Sequence, residues 1–381
     1  MTDIHVGIIL NGATSGLCRN QHLRALMAII AEGGLPANDG DRIIPKPMLL
    51  GRNAEALRLL ADASGGLRWT DDFNAALGSK EDTIFFDVAS TGLRYANVCR
   101  AIEAGKHVYC EKPIATTLPE AMDLVERAEK AGVKNGTVQD KLFLPGFSKL
   151  RKLRESGFFG RIFEVRLEFG RWIFDGEHQP AQRPSWNYRK EAGGGLVLDM
   201  FPHWRYMIDN IVGEIKAVSC TCRTHVVRRR DEKGRRYEVD VEDSAFAQME
   251  LEGGIIASVN SSWCTRVYRD DIIVIQIDGS DGSAVATAHD CVTQPGANTS
   301  NPVLSVDKPQ PHRFREEWLA VPDNQLRVNS YRAGWEGFLR HVVFDEPFPF
   351  TLGEGAKGVQ LAELSHHSSL KRRWVDVPPI R

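Results

Sequence analysis

The sequence predicts an α/β protein in two parts. Residues 1–138 form a doubly wound parallel sheet, and residues 139–381 an α+β half with an open, mostly antiparallel sheet. Three observations predict this. Short apolar strands alternate with helical stretches up to about Val138, the grammar of a parallel sheet wound with helices. Beyond it, Phe163, Val165, Leu167 and Phe169 alternate with Glu164, Arg166 and Glu168, the period of a strand with one buried face. The chain has 381 residues, which at about 150 per domain means at least two cores.

Taken in order, residues 4–10 form an apolar strand ending in a small-residue turn, and 21–31 a helix. A short strand at 48–50 ends at Gly51, and 53–63 is helical. Thr70 is placed to cap a helix over 71–77, with acids in its first turn. Residues 83–89 are apolar on both faces apart from Asp87, as a central parallel strand requires. A helix over 95–104 stops at Gly105, and 107–110 is the next strand. Thr117-Leu118-Pro119-Glu120 is a capping box with proline in the first turn, opening a helix that ends at Gly132. In the second half, strands are expected at 217–227, 244–251, 254–263 and 272–278, with a hairpin at Gly253-Gly254. Residues 228–233, Arg-Arg-Arg-Asp-Glu-Lys, read as a solvated loop tip. Residues 294–311 read as a long loop and 353–370 as a helix.

Composition narrows the function. Lysine and arginine number 48 and the acids 50, a net charge of -2, so no basic field exists for nucleic acid. Hydrophobic residues at 42% and charged ones at 26% exclude disorder for most of the chain. No apolar run reaches the roughly 20 residues that span a bilayer, and the start lacks a leader's basic and apolar regions. Seven scattered cysteines with no CxxC point to free thiols, a cytoplasmic protein and no metal site.

Four constellations carry chemistry. The first strand runs into Asn11, Gly12, Ala13, Thr14, Ser15 and Gly16. Small residues there admit a pyrophosphate to a helix N-terminus. The spacing departs from GxGxxG, so a plain tight turn is the competing reading. Next, Arg52 and Asn53 follow the second strand, where an acid would read the ribose of NAD. Arg52 there suits the 2′-phosphate of NADP, or else stacks or faces water. Third, a strand exits through Glu111, Lys112 and Pro113. Lys112 can stabilise an oxyanion during hydride removal, and a cis peptide at Pro113 would aim it. Glu-Lys-Pro is also an acceptable ordinary strand exit. Fourth, Gly193-Gly194-Gly195 leads into a helix bearing Asp199 and His203 four apart. That spacing lets a carboxylate orient an imidazole acting as general base; a structural Asp–His pair is the alternative. Pro202 is tolerated if the helix starts near Leu198.

These four pieces in this order resemble the Gfo/Idh/MocA family, relatives of glucose–fructose oxidoreductase and inositol dehydrogenase. The likeness spans nearly the whole chain. It rests on Glu111-Lys112-Pro113 after AIEAGKHVYC, GGGLVLDMFPH at 193–203, VEDSAFAQMELEGGIIASVNSSW at 241–263 and IQIDGSDGS at 275–283. The resemblance implies an N-terminal Rossmann domain, bound NAD or NADP, a sugar or cyclitol substrate, and Lys112, Asp199 and His203 as the catalytic group. It also implies a homodimer or homotetramer formed through the open sheet. Ser90, Thr91 and Glu111 join the expected cofactor contacts. The chain departs from the family in three places: the altered glycine turn, Ser90-Thr91-Gly92 where Thr-Pro-Asn is usual with Tyr95 where histidine is common, and a long segment at 33–47.

On the substrate side, Trp172, Arg183, Trp186, Asn187 and Tyr188 lie between the first strand of the second half and the triple glycine. Indole and phenol faces stack on sugar C–H faces, and asparagine and arginine bind hydroxyls. Arginines 171, 183, 189 and 205 raise the alternative of an anionic sugar. The leading expectation is an NAD(P)-dependent sugar oxidoreductase. The second is an NAD-dependent glycoside hydrolase that oxidises, eliminates and re-reduces its sugar. The third is a non-catalytic dinucleotide sensor, which the presence of both Lys112 and His203 disfavours.

Overall fold

The computed structural model describes residues 2–37, 40–269, 271–323 and 328–380. Its first half contains β1 (Asp3–Asn11), α1 (Arg24–Ala31), β2 (Leu35–Pro36), β3 (Arg42–Leu50), α2 (Ala54–Ala63), β4 (Arg68–Thr70), α3 (Phe73–Gly78), β5 (Asp82–Asp87), α4 (Thr91–Glu103), β6 (His107–Cys110), α5 (Leu118–Ala131) and β7 (Asn135–Thr137). The strands lie in the order β4-β3-β1-β5-β6-β7, all parallel, with β2 antiparallel on β3. Strand order reverses between β1 and β5, so the ligand crevice of a doubly wound sheet opens at their carboxyl ends.

Local sequence explains these elements. The capping box opens α5, with Thr117 accepting from the Glu120 amide, and Gly132 ends it in a left-handed conformation. Two expectations are corrected. Asp72, not Thr70, caps α3, because its carboxylate accepts two amides. The second strand has nine residues, not three, and pairs with β1 from Asp3↔Arg42 to Asn11↔Leu50. Pro45 and Pro47 disguise it. They are two apart and so share one edge, the stretch left unpaired between the β2 and β4 contacts, where a missing N–H costs no ladder bond.

The second half contains α6 (Pro145–Glu155), β8 (Ile162–Gly170), α7 (Leu196–Ile211), β9 (Ile215–Arg223), β10 (Arg228–Arg230), β11 (Arg236–Glu238), β12 (Ser244–Leu251), β13 (Ile256–Ser262), β14 (Ile273–Gly279), β15 (Gly282–Thr287), β16 (Cys291–Pro295), β17 (Leu319–Ala320), α8 (Ser330–Phe344), α9 (Leu352–Lys371) and β18 (Val375–Asp376). Nine strands form one sheet, β17-β16-β15-β14-β8-β13-β12-β9-β18. Among the described pairings in it, β8–β13 alone is parallel. In β8, Ile162 is buried and Phe163 exposed, so the expected alternation begins only at Val165; the β14 partner shifts register opposite Ile162. Of the expected loop tip, residues 231–233 form the turn between two strands, but Arg228–Arg230 do not belong to it. These three form β10, paired with β11, and Arg229 is buried with its guanidinium 4.0 Å from the Tyr188 ring centre.

Helix α7 packs on one face of this sheet, and α9 crosses α7 so closely that a Cβ at Gly358 would lie 2.8 Å from Pro202 Cβ. The opposite face carries exposed Phe246 and Ile256. The chain then returns to the first sheet. Phe338 of α8 stacks on Tyr109 at 4.6 Å between ring centres, and Trp335 lies 5.0 Å from Phe86. Full burial of such side chains is worth about 1.5–3 kcal/mol each, so α8 is anchored on the first sheet.

Candidate active site

The site lies where the carboxyl ends of β1, β5, β6 and β7 face the start of α7. At β1, Gly12 turns with φ +85°, and a Cβ there would lie 2.8 Å from the Ala89 nitrogen. Only glycine allows that backbone angle and that approach together. Asn11 donates to Asp87 Oδ2 at 2.8 Å, tying the ends of β1 and β5. Ser15 Oγ accepts from the Cys18 amide, starting a π-helical turn at Cys18–Leu23 that continues into α1. Beside it, a Cβ at Gly16 would meet only Asn20 Nδ2, at 4.0 Å. The first amides of a helix lack internal acceptors. This turn fits a dinucleotide pyrophosphate. Arg52 is exposed, while Asn53 Oδ1 caps α2 by accepting from Ala56. Ser90 is the residue before α4, and Thr91 begins it.

Glu111 is buried. Its carboxylate meets His22 Nε2 at 2.8 Å and accepts from the Lys112 amide at 3.2 Å. The Lys112–Pro113 peptide is cis. Lys112 Nζ donates to Asp199 Oδ1 at 2.8 Å and to the Asp199 carbonyl at 2.9 Å. Arg183 Nη2 donates to Asp199 Oδ2 at 2.8 Å, and its guanidinium lies 4.6 Å from the Trp263 ring centre. Burial pushes the Asp199 carboxyl up, but the Lys112 and Arg183 cations outweigh it and hold the group well below the usual range.

His203 is buried and its proton affinity falls well below the usual 6.5, through burial first and then the Lys141 and Lys112 charges. The imidazole therefore stands neutral at pH 7. Asp199 does not orient it. Tyr206 does: its hydroxyl is 2.7 Å from His203 Nδ1, while Lys141 Nζ is 3.3 Å from Nε2. The helix begins at Leu196, not near Leu198, so Pro202 lies inside α7 and not in its first turn, and its missing N–H leaves the Leu198 carbonyl without that helical bond.

The triple glycine builds the wall. Gly193 and Gly195 have φ +73° and +113°, and a Cβ at Gly194 would lie 2.5 Å from the Asn187 carbonyl oxygen. Trp186, Asn187, Thr91, Pro113 and Asp199 line the crevice beside it. Two expected sugar contacts are engaged elsewhere. Tyr188 is buried under Arg229, and Arg266 covers the Trp172 ring at 3.4 Å. The arginine cluster expected around an anionic sugar does not assemble. Arg205 is buried against Asp209 and Arg189 lies over Tyr237; of the four, Arg183 alone reaches Asp199. Among the described residues no group of acids, histidines or cysteines could hold a metal ion, and no helix is long and apolar enough to cross a membrane. Sequence reading missed Asp140, Lys141, Tyr206 and His22. A signal existed for the second of these, since residues just past a parallel strand face the crevice and Lys141 follows β7.

A dinucleotide turn facing a lysine, an aspartate and a neutral histidine defines a nicotinamide-dependent oxidoreductase. Residues 48–138 match the oxidoreductase family with an NAD-binding Rossmann fold, and residues 147–285 match the GFO/IDH/MocA C-terminal domain. The chain is 44% identical over 380 residues, 98% of each chain, to D-xylose dehydrogenase of Paenarthrobacter nicotinovorans. It is 28% identical over 330 residues, 77% of this chain and 80% of the other, to levoglucosan dehydrogenase of Pseudarthrobacter phenanthrenivorans. A levoglucosan dehydrogenase structure in complex with NADH and L-sorbose superposes with a TM-score of 0.81 at 21% identity, covering 100% of both chains. The chain belongs to the Gfo/Idh/MocA oxidoreductase family.

Proposed function

We propose that the chain is an NAD(P)-dependent sugar dehydrogenase that oxidises a hydroxyl carbon of D-xylose or an aldose of similar size. The observation that carries the chemistry is the meeting of Lys112 with Asp199 beside a neutral His203. The sugar class follows the end-to-end likeness to a D-xylose dehydrogenase. A nicotinamide dinucleotide, when bound, would supply the hydride acceptor; Gly12, Thr14, Ser15 and Gly16 would hold its pyrophosphate, with Arg52 at the ribose edge.

The protein's own groups divide the proton chemistry. His203 Nε2 takes the hydroxyl proton, displacing the Lys141 contact. Lys112, steadied by Asp199, donates to the same oxygen and stabilises the negative charge that grows as the C–H bond breaks. Trp186 offers the stacking face, and Asn187 and Arg183 the polar contacts. In the cell, a reducing cytoplasm suits seven free thiols, and a second copy of the chain would cover the open sheet face around Phe246 and Ile256.

The test is turnover by Lys112→Ala and His203→Ala with D-xylose and either nicotinamide nucleotide. Loss of a positioned acid or base costs about 10²–10⁴-fold, and cofactor affinity should persist in both variants. Wild-type turnover in both would refute the assignment; inertness of the wild type toward D-xylose and other aldoses would refute the substrate class.

A further inference from the structure

We propose that Asp140 and Tyr206 are positioning residues that fix His203 as the Nδ1–H tautomer, leaving Nε2 bare to accept the substrate proton. The inference rests on the reading of His203 as proton acceptor.

Two independent constraints give the tautomer. The first comes from the Tyr206 hydroxyl, which has one proton and two lone pairs. Three groups surround it: Asp140 Oδ1 at 3.2 Å, the Lys141 amide nitrogen at 3.2 Å and His203 Nδ1 at 2.7 Å. The amide only donates, and a carboxylate only accepts. The phenol proton therefore goes to Asp140, and one lone pair takes the amide proton. The remaining lone pair can bond His203 only if Nδ1 brings its own hydrogen. The second constraint is at the far side of the ring. Lys141 Nζ stands 3.3 Å from Nε2, and an ammonium has donors only. Nε2 must then be the acceptor.

The groups facing the imidazole come from several elements. Lys141 and Asp140 follow β7, Tyr206 lies one turn along α7, and Lys112 acts from the β6 exit. Burial and the Asp140 charge raise the Tyr206 phenol well above its usual range, so it keeps its proton throughout. Tyr331 of α8 is raised likewise, by burial and the charges of Asp140 and Glu111. When the substrate O–H bond breaks, its proton forms Nε2–H and the imidazole becomes a cation. Asp140 Oδ1, 3.8 Å from Nδ1, then balances that charge. A carboxylate acting through a phenol thus takes the part that the i, i+4 spacing had suggested for Asp199.

The experiment is side-chain ¹⁵N NMR of His203 in the full-length protein, assigned with His203→Gln, alongside kinetics of Tyr206→Phe and Asp140→Asn. The wild-type spectrum should show the proton on Nδ1. Tyr206→Phe should mix the tautomers and lower kcat about 10–100-fold, the size of loss seen when the outer partner of a metal-binding histidine is removed, with KM little changed. Asp140→Asn keeps an acceptor for the phenol proton, so it should retain the tautomer. It should also shift the acid limb of kcat/KM to lower pH, because a stabilising negative charge is gone. A wild-type proton on Nε2 would overturn the proposal, as would an unaltered tautomer and kcat in Tyr206→Phe. Should Tyr206→Phe fail to fold, an Asp140→Asn acid limb that does not move would overturn it. Activity surviving in His203→Ala would instead remove the acceptor reading beneath it, a result that the NMR measurement distinguishes.

Discussion

Gly194→Ala tests whether the triple glycine shapes the site. A Cβ at that position would lie 2.5 Å from the Asn187 oxygen, 2.6 Å from its carbon and 2.7 Å from the Trp186 oxygen. All three are backbone atoms, so no rotamer change relieves the overlap. Ordinary contact begins at 3.4 Å, so the 186–187 turn must withdraw by about 0.9 Å, the difference between 3.4 and 2.5 Å. The turn is tied down by bonds from the Gly194 amide to Arg189 and from the Gly195 amide to Asn187, at 3.0 and 2.9 Å. Withdrawal strains both. Overpacking of this kind costs about 1–3 kcal/mol, which for a domain of this size lowers Tm by roughly 2–12 °C. Trp186 and Asn187 line the crevice beside Asp199, and misplacing a positioning group by about 1 Å costs about 10²-fold in rate. Thermal melting and steady-state kinetics measure the two effects. Cofactor affinity should stay unchanged, since the 11–16 turn belongs to another element. A variant with native Tm and native kcat/KM would refute the packing argument.

Two further outcomes are expected. Removing the Lys141 cation with Lys141→Met should make His203 easier to protonate, because that charge helps hold its proton affinity down. The acid limb of the pH–rate profile should move to higher pH, and a downward or absent shift counts against the contact. Arg205 and Asp209 are 4% and 7% exposed, so Arg205→Met leaves a buried carboxylate without its partner; the loss should be about 3–5 kcal/mol, read as a lower urea midpoint. An unchanged midpoint would show that Asp209 finds another partner.

Much of the first sheet was legible because its signals are local. Residues 107–110 and the Thr117 capping box carry their structure within a few positions, and both appear as read. Strand β3 was only a third legible, since Pro45 and Pro47 signal a break in any central strand. Whether an edge is unpaired depends on distant residues, which no short window contains. Arg229 was misread for the same reason. In a run of charges it looks solvated, but it is held at the Ile173 carbonyl and over Tyr188 by a segment more than forty residues away.

The active site divides along the same line. Lys112, Asp199 and His203 could be singled out as candidates because each sits in a short local motif. Their partners could not, and the reason is geometric. Helical spacing states which side chains share a face, and on α7 both Asp199 at i−4 and Tyr206 at i+3 are candidates for His203. What chooses between them arrives from outside the helix. Two cations, Lys112 from the β6 exit and Arg183 from the segment before the triple glycine, each approach Asp199 to 2.8 Å. A carboxylate between two cations gains far more from them than from a neutral imidazole. With Asp199 claimed, His203 is left to Tyr206, and Asp140, delivered past β7, gives the phenol its direction. The proton-accepting nitrogen proposed for the site is therefore set by residues at strand exits in the other half of the molecule, and α7 alone could not reveal it.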